Sequence, residues 1–573
     1  MSSSLRHVLI AAAMAAAGCA AAQAPAPEPI RAPSAFTLDS GHPRTPEQLA
    51  MQINHADLQI RVMPDTRTIA ATATHEVLAV EPLERLVFEL DRNLSISEIR
   101  IDQQPLPSSA WSNPDGRLTI ALPAPAPADS VITVGVDYAG APHVARNAPW
   151  DGGFVWGKAP DGQPWIATAV QGEGCDLFWP CIDHPRGDPR VMTLVITAPP
   201  GLSAPSNGRL LGVENGPDGW TTWTWRAAFP DPYGIALNIG PYVELAGEYE
   251  SGWGNVIPLH FWHLPRPGDE PETLFAEFAE QLEFYERLIG PYPFSDEKMG
   301  VAETPHLGME HQTINAYGNN YAVDANGFDW LLHHELAHEW FGNQMTNADW
   351  DHMWLHEGFA TYMQPLYARY LHGERNFQDG LQAQRVMVQN RRPLVSGETM
   401  TAKTVYSDEV GPGQDLYYKG ALVLHTLRML IGDDAFWAAT RQLVYGRPDP
   451  APGNFSPQVV VTEDFIAAVN ETTGADLRWF FDAYVFEAAL PELITTRERD
   501  RMRFQWVTGN GGAFPMPIEV EVDGRVHTLP MTGGRGELVV NPRAHVLIDP
   551  ASKVLRRSPD IERYQQWLRD QAQ

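Results

Sequence analysis

Cysteine is nearly missing: the 573 residues hold three, at positions 19, 175 and 181. That scarcity excludes a disulfide-built scaffold and leaves room for one local bridge between Cys175 and Cys181, or for two buried thiols. Long apolar runs are missing too. The one near the start, Val8 to Ala17, is too short to span a bilayer, and no stretch of transmembrane length follows it. Positive charge is the third shortage, with 41 Lys and Arg against 71 Asp and Glu and a formal charge of -30. A sequence-blind affinity for nucleic acid or for anionic membrane surfaces is therefore excluded. There is no internal repeat.

What the first residues do contain is a single Arg6, the short apolar run, and then small residues up to Cys19. This is the pattern of an export signal. The stretch "AAGC" resembles a bacterial lipobox, in which Cys19 is lipidated and becomes the mature N-terminus, while cleavage after Ala22 is the alternative. Residues 1–19 are accordingly a signal segment, and 20–45 an Ala/Pro-rich tether. The expected location is outside the cytoplasm, in the periplasm or cell envelope, with a lipid on Cys19 as the possible anchor to the outer membrane.

With 44% hydrophobic residues, the chain is long enough for several domains with separate cores. From 46 to 246 apolar residues alternate, as in Leu58, Ile60, Val62 and in Met192, Leu194, Ile196, so an N-terminal antiparallel β domain is expected. Near residue 270 the period changes. Leu274, Phe275, Phe278, Leu282 and Tyr285 fall on one helical stripe, and helical patterns dominate 247–490. Pro365 falls inside one of them and predicts a kink or break. Alternation returns after 490, with Asp523-Gly524 as a hairpin turn, so 491–573 reads as a small β module with a terminal helix. The fold class is multidomain α+β.

The chemistry concentrates in "HHELAHEWFGNQ", where His334 and His338 lie one helical turn apart and face the same way. With Glu335 between them this is the H-E-x-x-H pattern: two nitrogen ligands for zinc, and a carboxylate able to take a proton from activated water. A third ligand is needed, and Glu357 in "WDHMWLHEGFATY" is the best placed. His333, His352 and His356 are rivals by type, although His333 points about 100 degrees away from His334.

"HELAHEWFGN", "WLHEGFATY", "HLGMEHQT" and "YYKGA", in this order and spacing, resemble the zinc aminopeptidases of the aminopeptidase N and leukotriene hydrolase family. The upstream "VQGEGCDLFWPCIDHP" is similar to that family's N-terminal signature. The resemblance implies a thermolysin-like catalytic domain at 247–490 and a β-sandwich-like C-terminal module. It implies one zinc per chain on His334, His338 and Glu357, and Glu335 as general base. Glu310 would hold the substrate's free amino group, helped by Gln171 and by the Gly308-Met309 stretch, and Tyr417 would donate to the developing oxyanion. The partners implied are peptides with a free N-terminus. Leu307 and His311 depart from the family's Gly-Ala-Met-Glu-Asn stretch, which puts substrate preference near it in doubt. The large helical domain that follows in many relatives is not expected here, which would leave the cleft more open. Two other readings use the same residues: a thermolysin-type endopeptidase, which needs no amine anchor, and a catalytically silent peptide-binding protein.

Overall fold

The structure is a computed structural model and describes residues 32–453 and 455–571. The export signal, Cys19 and the first part of the Ala/Pro run lie outside the described residues. Alternation governs the β region as expected: Leu58, Ile60 and Val62 are buried, and so are Leu86 and Phe88 and Ile132, Val134 and Val136. An eight-stranded sheet forms its larger layer, with Met51–Met63 and Thr68–Ala79 near the middle. Its ladders are antiparallel except one: Met51–Met63 pairs in parallel with Val191–Ala198, because the chain between them crosses over through other strands before it returns.

Residues 32–45 do not behave as a free tether. The backbone N–H of Ser40 donates to the Gly172 carbonyl at 3.1 Å, Gly41 N–H to Asp183 at 3.3 Å, and Ala402 N–H to Ser40 at 2.9 Å. A Cβ placed on Gly41 would lie 2.1 Å from the Trp350 ring, so this strap passes against the helical region at a point where only glycine fits. The reason is compositional: the Ala/Pro bias ends near Ala35, and "AFTLDSGH" offers backbone groups that two other segments satisfy.

A five-stranded sheet opens the next region, in the order Val243–Glu250, Val256–His263, Met299–Glu303, Asn315–Tyr317, Gly308–Met309. The expected boundary at 246/247 falls inside its first strand, so the sheet that carries Glu310 starts a few residues earlier than the change of period suggests. The helix Glu270–Leu288 buries Leu274, Phe278, Leu282 and Tyr285 and leaves Phe275 half-buried.

Of the kink or break expected at Pro365, the break does not occur. The helix Trp354–His372 runs through it without a break. Proline cannot donate to the carbonyl four residues back, that of Thr361, but the Gln384 side-chain amide reaches in from the helix Glu374–Arg385 and donates to it at 2.8 Å. One turn earlier on the same helix, Gly380 makes room for the ring: a Cβ there would lie 3.0 Å from Pro365 Cβ. Two residues of the partner helix supply what the proline removes.

Two three-stranded sheets follow residue 491, and the helix Pro559–Gln571 lies after them. Between Ile518–Val522 and Arg525–Leu529, Asp523 and Gly524 take φ of 48° and 83°, the positive pair that a two-residue hairpin turn demands. No helix among the described residues is long and apolar enough to cross a membrane. The whole is a multidomain α+β architecture.

Candidate active site

The Asp329 carboxylate starts the first site helix, Trp330–Ala337, by accepting from the backbone N–H groups of Leu331 at 3.0 Å and Leu332 at 3.1 Å. It is itself held by Tyr317, whose hydroxyl donates to it at 2.6 Å. A helix anchored this way carries His334 in its last turn and His338 at its C-cap. Their Nε2 atoms lie 3.3 Å apart, and each lies 3.5 Å from Glu357 Oε2. Glu357 comes from the first turn of Trp354–His372.

These three distances test the metal reading. A tetrahedral ion bound at about 2.0–2.1 Å places its ligand atoms about 3.3–3.4 Å apart, which is the triangle observed. Glu357 Oε2 is buried and takes no hydrogen bond, so its lone pairs are left for an ion. His338 Nδ1 lies 2.9 Å from the Phe341 carbonyl, which can only accept; a proton is therefore on Nδ1, and Nε2 is the atom that faces the triangle and would bind an ion on giving up its own proton. Among the described residues, this triad is the one such group of possible metal ligands.

Electrostatics agree with the geometry. Burial disfavours a charge on His338, yet the carboxylates of Glu357, Glu310 and Glu335 outweigh burial and push the imidazole up to about 10. Burial, with Glu310 and Glu357 close by and His338 opposing, drives the Glu335 carboxyl well above its ordinary range. Three carboxylates packed around two imidazoles form a pocket short of positive charge, and a dication would meet that shortage.

The rival histidines are accounted for. His333 is stacked on Tyr367 at 4.6 Å between ring centroids, His352 Nδ1 lies 3.1 Å from the Thr462 hydroxyl, and His356 Nε2 accepts from the Asn347 N–H at 3.0 Å. None of them joins the triangle.

Beside it lies the edge strand Gly308–Met309. A Cβ on Gly308 would lie 2.4 Å from Glu335 Oε1, so only a bare backbone lets that carboxylate occupy its place. The next residue, Glu310, is buried, and its Oε1 accepts from Gln171 Nε2 at 2.6 Å and from the Tyr233 hydroxyl at 2.9 Å. Both donors use the same oxygen, so Oε2 stays available. Tyr417 lines the same cleft with its ring 6.2 Å from that of His334, and Tyr418 lines it as well. Lys419 turns away: its buried ammonium donates to the carbonyls of Glu487 at 2.8 Å and Ala488 at 3.0 Å, which ties the start of the helix Tyr418–Ile431 to the segment ahead of the C-terminal sheets. The helix bearing Glu357 and the helix that Tyr417 caps touch through glycine, since a Cβ on Gly420 would lie 2.9 Å from the Cα of Gly358.

Two site residues have no signature in the sequence. Tyr233 sits far upstream in the short 3-10 turn Pro232–Gly234, and Tyr406 reaches across to donate from its hydroxyl to Glu357 Oε1 at 2.7 Å. Tyr406 leaves the ligand's other oxygen free and orients it, so Tyr406→Phe is expected to weaken zinc binding by about 10- to 100-fold. Competition with a chromogenic chelator measures this; an unchanged affinity would remove Tyr406 from the ligand's support.

The cleft has a volume of ≈ 500 Å³ and is framed by these groups on the floor and by Leu307, Trp330 and Trp150 around them. Comparison with known proteins fits what the geometry indicates. Residues 277–484 match the peptidase family M1 domain. The chain is 26% identical over 310 residues to aminopeptidase N of Haemonchus contortus, covering 49% of this chain and 31% of that protein. It is 23% identical over 433 residues to endoplasmic reticulum aminopeptidase 1 of Mus musculus, covering 71% and 45%. The chain thus spans less than half the length of these relatives. Among solved structures, an M1 zinc metallopeptidase from Deinococcus radiodurans is 25% identical with a TM-score of 0.65, covering 79% of this chain and 97% of that one. A two-domain M1 zinc metallopeptidase mutant bound to L-tryptophan is 26% identical with a TM-score of 0.66, covering 79% and 98%. With its ligand triangle, its edge strand and the domain match, the chain carries a peptidase family M1 domain and is similar to the zinc peptidases of the aminopeptidase N family.

Proposed function

We propose that the chain is an aminopeptidase that holds one zinc ion on His334, His338 and Glu357 and releases N-terminal residues from peptides with a free N-terminus. The observation that carries this reading is Glu310, a buried carboxylate beside the metal triangle with one oxygen bound by Gln171 and Tyr233 and the other available. A substrate's α-ammonium entering the cleft loses hydration and needs a negative partner, and a metal of the same sign cannot be that partner.

Zinc, when bound, polarises a carbonyl and lowers the pKa of water to about 7. Glu335, pressed against Gly308, accepts the proton of the attacking water and passes it to the leaving amine. Tyr417 donates a hydrogen bond to the oxygen that gains negative charge, a contribution of about 3 kcal/mol in comparable sites. Glu310 and Gln171 hold the ammonium, so that the first peptide bond is the one presented.

Matched peptides with free and N-acetylated termini test the reading. Acetylated peptides should be cleaved poorly, and Glu310→Ala should cost about 3–5 kcal/mol in transition-state stabilisation. Equal rates on both peptides, or an unaffected variant, would point to an endopeptidase instead. Export to the periplasm or cell envelope belongs to the same proposal, supported by the N-terminal pattern and by the disulfide between Cys175 and Cys181.

A further inference from the structure

Among the described residues that line the cleft, carboxylates come from Glu310, Glu335 and Glu357, and Lys403 carries the one Lys or Arg side chain. We propose that Lys403 is a specificity residue that binds a carboxylate of the substrate; this rests on the aminopeptidase reading above. The shared chemistry is a carboxylate, whether it is the C-terminus of a short peptide or the side chain of an acidic first residue.

Position supports the assignment. Lys403 precedes Tyr406 by three residues along the short helix Ala402–Val405 and its cap, a spacing that puts their side chains on one face about 5–6 Å apart at Cβ. Tyr406 in turn touches the metal ligand Glu357 at 2.7 Å. Lys403 therefore stands one helical turn from a group on the metal centre. The strap fixes that helix to the wall: Ser40 accepts from Ala402 N–H at 2.9 Å, and Asp39 Oδ1 accepts from Lys403 N–H at 3.3 Å.

Charge supports it as well. The Lys403 ammonium meets Glu173 Oε1 at 3.1 Å, where Glu173 is 4% exposed and Lys403 is 47% exposed. The other oxygen of Glu173 already accepts from the Gly152 N–H, so Glu173 is satisfied from two sides. An ammonium has three donors, so the contact with Glu173 uses one, and the half-exposed side chain keeps two more. A protein of charge -30 repels anionic peptides at a distance, so a cation inside the cleft gives such a substrate its favourable contact near the reaction. A peptide zwitterion would then be gripped at both ends, by Glu310 on its ammonium and by Lys403 on its carboxylate.

The test compares kcat/KM within pairs of substrates that differ by one carboxylate. One pair is Ala-Ala-Ala and its C-terminal amide; the other is the p-nitroanilides of glutamate and glutamine. The wild type should favour the carboxylate member of at least one pair by about fivefold, as expected of a partly exposed ion pair. Lys403→Met should bring that ratio to about one, Lys403→Glu should invert it, and Lys403→Arg should keep it. A ratio taken within one enzyme does not depend on how much of it is folded. A response of the peptide pair assigns the C-terminus, and a response of the anilide pair assigns an acidic first residue. Wild-type ratios near one in both pairs, or ratios unchanged in Lys403→Met, would overturn the proposal. Hydrolysis of alanine p-nitroanilide by the wild type, with and without chelator, checks the aminopeptidase reading separately, so a failure of one is distinct from a failure of the other.

Discussion

Glu335→Gln is expected to lower turnover by about 10³- to 10⁴-fold while the protein keeps its zinc, because general-base help is withdrawn and nothing else is. Glutamine has nearly the same shape as glutamate, and Glu335 is outside the ligand triangle, so neither packing against Gly308 nor metal affinity should change. An amide cannot accept the proton of the attacking water. The loss should therefore fall on kcat, with KM little altered, if the substrate's ammonium is held by Glu310 and Gln171 as proposed. Metal analysis and steady-state kinetics on one preparation read both halves. Turnover within tenfold of the wild type would assign the base elsewhere, and loss of zinc would mean that Glu335 is part of the metal's support.

His338→Ala is expected to abolish both zinc and activity. Its Nε2 forms two sides of the ligand triangle, at 3.3 Å from His334 and 3.5 Å from Glu357, so removing it leaves two ligands where three are needed. The variant also leaves Glu310, Glu335 and Glu357 crowded in a buried pocket with one imidazole fewer to offset them. A shift in melting temperature on adding zinc should be seen for the wild type and should vanish for the variant, because a ligand stabilises only the state that binds it. A variant that still carries about one zinc per chain would displace His338 from the site.

The metal ligands were legible because a helix converts a spacing of four into a shared face, and His334 and His338 need no other part of the chain to define that relation. Glu357 and Glu310 were legible through motifs in register. Tyr233 and Tyr406 were not, because each is a single tyrosine in or beside a short helical turn, and only the tertiary path of the backbone brings it to a carboxylate. Pro365 misled for the related reason that its remedies, Gln384 and Gly380, belong to another helix. The strap at 32–45 shows how composition fails at an edge: an Ala/Pro bias was extended past Ala35, where the residues already had partners waiting at Gly172 and Ala402. Strands with one buried face, such as Leu58 to Val62, are legible because a period of two marks them wherever their partner comes from, whereas Val256–His263, Met299–Glu303, Gly308–Met309 and Asn315–Tyr317 lie in a stretch whose patterns read as mainly helical.

The glycine contact between the helix of Glu357 and the helix that Tyr417 caps sets how this scaffold can be altered. At Gly358 and Gly420 main chain meets main chain, so no rotamer stands between the two helices and no side chain can relax to change their separation. The backbones that carry the metal's carboxylate and the phenol are thus held at one separation, while Lys403, Leu307 and Trp150 line the same cleft from other segments. A designer, or natural drift, can exchange those residues to change which peptides enter without altering that separation. An alanine at either glycine would do the reverse, leaving the entrance intact and forcing the two halves of the centre out of alignment.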